Sequence, residues 1–138
     1  MVTACRGVIT CHAIVLAAAA TALAEAPVDV VMEWNAVALE ANALDHTGPD
    51  LPGDQLSNTQ GPPASARALA IVHAAMFDAH NSIDRRYTPY VTRIRGLRGA
   101  SIDAAVAQAA HTTLSALIPA GQDVYDAALQ QTLSRVKN

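Results

Sequence analysis

Lysine is almost missing from this chain: the only one among 138 residues is Lys137. Its scarcity removes the Gly-x-x-x-x-Gly-Lys phosphate loop, and neither a Gly-x-Ser-x-Gly elbow nor a Cys-x-x-Cys pair occurs to supply other chemistry. Aromatic residues make up 4% of the chain, too few for a base-stacking surface. Basic charge does not dominate either, since nine Lys and Arg stand against twelve Asp and Glu for a net charge of −3. Arg85, Arg86, Arg93, Arg95 and Arg98 gather in one connector and read as solvated loop charge, so no nucleic-acid partner is expected. The longest apolar run, Ala13 to Ala20, falls short of the roughly 20 residues that a membrane span requires, and Thr10 and His12 interrupt its approach.

Cysteine is confined to Cys5 and Cys11. Both fall inside a segment with Arg6, an apolar run and Ala22-Leu23-Ala24, the order of a secretory signal peptide cleaved before Glu25. The expected domains are therefore a signal peptide over 1–24 and one incomplete helical domain over 25–138. The mature protein would be periplasmic or secreted, and without cysteine it would carry no disulfide.

What is abundant is helix-forming apolar residue, with 51% hydrophobic composition. Val28 to Leu44 reads as a first helix, with Pro27 near its start. Val31, Trp34, Ala38 and Ala41 form the apolar stripe, Leu39 widens it, and Asp29, Glu33 and Glu40 take the wetter face. From Asp45 to Pro63, glycines and prolines predict a long loop. Gly61 to Asp84 reads as one long helix whose regular part begins near Pro63, because proline suits a first turn where its missing donor is not needed. Apolar residues surround nearly the whole circumference between Ala64 and Ala79, which predicts a helix enclosed by others and a tendency to self-associate. Asp84 to Ala100 is a connector that Tyr87 and Tyr90 are expected to pin to the helices. Ser101 caps a third helix running to Leu117, Pro119 and Gly121 break it, and Asp123 to Val136 forms a fourth with Val124, Ala128, Leu129 and Leu133 inward. No strand alternation or internal repeat appears, so the fold class is all-α, a bundle of about four helices.

His73, Asp78 and His80 invite a metal hypothesis. Their spacing argues against it: the two histidines share a face but stand two turns apart, about 10 Å along the helix, whereas ligands on one helix usually sit four residues apart. His73 is better read as a histidine bonded across helices. Asp78, Asn81 and Asp84 recur every three residues and are expected to bond a neighbouring loop or to receive Arg85 or Arg86. Trp34 and Asn35 read as a packing anchor and a polar bridge between helices. No catalytic, cofactor-binding or metal-binding residue is assigned.

The order Pro-Pro-x-x-x-Arg-Ala-Leu-Ala-x-Val-His-Ala-Ala-Met-Phe-Asp-Ala-x-Asn-x-Ile, from Pro62 to Ile83, resembles the N-terminal helical region of bacterial vanadium-dependent haloperoxidases, relatives of the type 2 phosphatidic acid phosphatases. Glu33-Trp34-Asn35, Ala38-Leu39-Glu40, Tyr87-Thr88-Pro89-Tyr90 and Ala104 to Ala110 extend the likeness over most of the chain after residue 30. The resemblance implies a parent that oxidises halide with hydrogen peroxide at vanadate. The superfamily is recognised by a lysine followed seven residues later by Arg-Pro, then Ser-Gly-His, then an arginine followed by a further histidine, and no such series occurs here. An inactive fragment of such an enzyme, lacking the vanadate site, is the expectation. Its partner would be the remainder of its own domain or a second copy of itself. A phosphatase of the same superfamily, or a small secreted helical binding protein, are the alternatives.

Overall fold

The computed structural model describes residues 29–47, 61–91, 94–95 and 99–136. The expected signal peptide, both cysteines, Arg93, Arg98 and most of the expected loop between the first two helices lie outside these residues. Four α-helices occur among them: α1 (Val30–Thr47), α2 (Gly61–Asp84), α3 (Ile102–Leu117) and α4 (Gln122–Arg135), with a single 3₁₀ turn at Pro119–Gly121 and no strand.

Two bonds set α1 against α2 in opposite directions: His73 Nε2 lies 3.0 Å from Asn35 Oδ1, and Ser65 Oγ lies 3.3 Å from His46 Nε2. The 3₁₀ turn folds α4 back along α3. At the far end of α4, Thr132 Oγ1 and Arg135 Nη2 both donate to Glu33 Oε2 near the start of α1. The helices therefore alternate in direction, α1 and α3 running together and α2 and α4 against them. Trp34, Ala38, Val72, Val106, Ala107, Ala110 and Tyr125 are fully buried in the shared core, joined by Met76 and Leu114. Burial of these apolar side chains, not intrinsic helix propensity, is what stabilises helices of this length.

The helix ends follow local chemistry. Asp29 does not sit on the wet face of α1 but precedes it, its Oδ1 accepting from Val31 N at 2.9 Å and Met32 N at 3.3 Å, so the helix starts two residues later than Val28. It also runs past Leu44 to Thr47. Ser101 caps α3 as expected, its Oγ accepting from Ala104 N at 3.2 Å. The carboxyl end of α2 turns off at Arg85, whose φ of 56° is left-handed and whose N–H closes onto Asn81 O at 2.9 Å.

Three assignments of inward faces change. On α1, Val30 enters the core and Leu39 stays 49% exposed, because the stripe through Trp34, Ala38 and Ala41 is already covered. Glu33 lies not on a wet face but against α4, paired with Arg135. On α4, Tyr125, Leu129 and Thr132 face inward while Val124 and Leu133 are exposed. Tyr125 can be buried because its hydroxyl donates to Ile118 O at 3.1 Å, and Thr132 because its hydroxyl bonds Ala128 O at 3.0 Å. Burial, with a smaller contribution from Asp45, holds the Tyr125 phenol above its ordinary pKa.

Candidate functional site

α2 is not enclosed. Ala68, Val72 and Met76 face the core, but the opposite side of the helix is open and forms one wall of a groove of about 1360 Å³. Four helices suffice to cover one face of α2, and the apolar residues read from the sequence as all-round burial divide between that face and the groove. Arg67, Ile71, Ala74 and Asp78 run along the α2 wall, and Ala105, Ala109 and Thr112 along the α3 wall. Tyr90, Val91 and Ile94 of the connector close one end, all strongly exposed.

Asp78 and Asn81 build that end. Asp78 Oδ1 accepts from Tyr90 N at 2.6 Å and Oδ2 from Val91 N at 2.7 Å. Asn81 takes both polar groups of Tyr87, its Nδ2 donating to Tyr87 O at 2.6 Å and its Oδ1 accepting from Tyr87 N at 2.9 Å. Both side chains are buried, and four backbone bonds repay their desolvation. The expectation that this cluster holds a loop is met, but the tyrosines are held by their backbones: Tyr90 is 80% exposed, and the Tyr87 ring stands beside Phe77, centroid to centroid 6.1 Å. Asp84 receives Arg86 at 2.8 Å, an exposed pair of small energetic weight.

His73 is engaged with Asn35, as read, although it is exposed rather than packed. Among the described residues no three His, Cys, Asp or Glu side chains converge on a metal-sized point. An oxyanion such as vanadate requires several cationic donors aimed at one spot. The groove offers Arg67 and His73 six residues apart on one helix, about 9 Å of rise, with His73 turned to Asn35 and alanines between. The described residues do not fit vanadate.

One polar cluster has no counterpart in the sequence reading. His111 Nε2 lies 2.6 Å from Asp126 Oδ1, and Gln122 Nε2 donates to the same oxygen at 2.8 Å. A usable signal was the break at Pro119 and Gly121: folding α4 back about residue 118 brings positions 111 and 126 level. Hydrogen bonds from His111 and then Gln122 hold the Asp126 carboxyl below its ordinary pKa. A depressed carboxylate stabilises the fold above its unfolded value, about 3.9, and loses that contribution as pH falls through the lower folded value. Asp126→Asn is therefore expected to lower Tm at neutral pH and to converge on the parent chain in strong acid. Melts across the acid range check this, and a constant Tm gap at every pH would contradict it.

Among the described residues no helix is long and apolar enough to cross a membrane. No curated protein and no solved structure matches the chain. The family model described as vanadium chloroperoxidase N-terminal domain matches residues 23–135, which takes in every described helix. With α2, its connector and the helical hairpin that follows all inside that match, the chain belongs to the vanadium chloroperoxidase N-terminal domain family.

Proposed function

We propose that this chain is the N-terminal helical part of an exported, vanadium-dependent haloperoxidase-like protein, and that it is catalytically inactive by itself. The parent oxidises halide with hydrogen peroxide at vanadate, while this portion contributes scaffold. The family match over residues 23–135 is the observation that carries the reading. A vanadium chloroperoxidase family also favours halide oxidation over phosphoester hydrolysis. The inactivity follows from the donor set: the sequence has no lysine and Arg-Pro series and no Ser-Gly-His, and among the described residues the groove has one guanidinium. Further helices of the parent, or a second copy, are the partners that such an open apolar surface requires. Export rests on Arg6, the apolar run and Ala22-Leu23-Ala24.

Two measurements test this. Reading the DNA past the codon for Asn138, in all frames, should reveal the lysine, Arg-Pro and Ser-Gly-His segments; their absence from the surrounding sequence would remove the haloperoxidase parent. The full chain supplied with vanadate, peroxide and bromide or chloride should give no halogenation above the protein-free rate. Turnover that scales with protein would overturn the inactivity.

A further inference from the structure

Five of the nine basic residues of this acidic chain fall between Arg85 and Arg98, a stretch that holds no acid. The remaining four are set against all twelve acids, so the connector reverses the charge of the rest of the molecule. Apolar side chains stand among those arginines in water: Tyr90 is 80%, Val91 75% and Ile94 66% exposed. Arg85, Arg86 and Arg95 are exposed beside them. Arg86 gives its Nε to Asp84 and keeps its other guanidinium donors.

This display is built into the fold. Asp78 and Asn81 are buried, and four of their hydrogen bonds go to the main chain of Tyr87, Tyr90 and Val91, which draws backbone inward and leaves the side chains out. A loop anchored by its backbone needs little further ordering when its side chains meet a partner. Because α2 runs against α1, the connector also lies at the same end of the bundle as Asp29, where α1 is entered from the apolar leader. Guanidinium groups interleaved with a tyrosine and two β-branched aliphatics suit an anionic bilayer surface. Headgroup phosphates take the arginines, the tyrosine fits the headgroup boundary, and the aliphatics leave water. A nucleic acid would take the charges and leave Val91 and Ile94 wet. We infer that the connector docks this chain on anionic phospholipid, with Arg85, Arg86 and Arg95 at the headgroups and Tyr90, Val91 and Ile94 entering the bilayer surface.

At low ionic strength the full chain should sediment with vesicles of mixed phosphatidylglycerol and phosphatidylcholine, and bind pure phosphatidylcholine about tenfold or more weakly. Arg86→Glu combined with Arg95→Glu should weaken binding to the anionic vesicles by about tenfold or more. Both side chains are exposed, so the circular dichroism of that variant should match the parent chain. The apolar leader can itself enter lipid, so the connector is read separately through Tyr90→Trp. On anionic vesicles the introduced indole should shift its emission to the blue and be quenched by bromine-labelled acyl chains, whereas the parent chain, whose Trp34 is fully buried, should show neither change. Absence of binding to anionic vesicles, or equal binding to both compositions, would overturn the docking. So would binding indifferent to the double charge reversal, or binding that leaves the introduced indole unquenched, which assigns the contact to the leader.

Discussion

Trp34→Ala is expected to cost about 3–5 kcal/mol and to leave the chain largely unfolded at moderate temperature. Trp34 is the largest side chain with no exposure, and it enters the one core that α1 shares with α3 and α4. Most of its neighbours are small: Ala38, Ala41, Ala107 and Ala110 line the same core. Alanines cannot swing into a cavity, so little of the lost volume can be refilled by relaxation. Trp34→Phe separates two contributions. It keeps an aromatic ring while deleting the indole N–H, which is buried without a partner, so it should cost distinctly less than alanine. Urea denaturation followed by circular dichroism reads both. Equal losses for the two variants would show that a smaller aromatic ring recovers none of the packing, which would contradict the volume argument.

Gly121→Ala is expected to destabilise by about 1–3 kcal/mol, although alanine is the better helix former and Gly121 lies at the start of α4. A Cβ built on Gly121 would stand 2.5 Å from Tyr125 Cζ and 2.9 Å from Cε1. The ring cannot move aside cheaply, because Tyr125 has no exposed surface and its hydroxyl is committed to the Ile118 carbonyl. The glycine is there for close approach, since its φ of −94° suits any residue. If the clash is the cause, Tyr125→Phe combined with Gly121→Ala should lose less than the two single changes add up to, because removing the hydroxyl relieves part of the overlap. Strict additivity in melting experiments would place the cost elsewhere.

Helix positions were legible because their stops are chemical. Ser101 offers a hydroxyl to the first turn of α3, Pro119 and Gly121 end that helix, and the Pro62-Pro63 pair starts α2 where donors are not needed. Inward faces were less legible. Counting aliphatic residues on α4 favours Val124 and Leu133, whereas the fold buries Tyr125 and Thr132, each of which carries its own carbonyl partner a short way along the chain. Hydropathy does not register such local satisfaction. The role of Asp78 and Asn81 in holding the connector was visible from their spacing, yet their partners are backbone groups, which no side-chain pattern reveals. The apolar circumference of α2 was equally plain. That only half of it meets a neighbour depends on how many helices surround it, which is a property of the assembly and not of the α2 sequence.

The helical scaffold of the chloroperoxidase family, without its oxyanion site, is what we propose this chain carries. Equilibrium dialysis of vanadate against the folded full chain, with helical content confirmed in the same sample, tests it directly. Vanadate is expected to distribute evenly across the membrane at every protein concentration. Retention approaching one vanadate per chain, lost in Arg67→Glu, would contradict it and place an anion site in the α2–α3 groove.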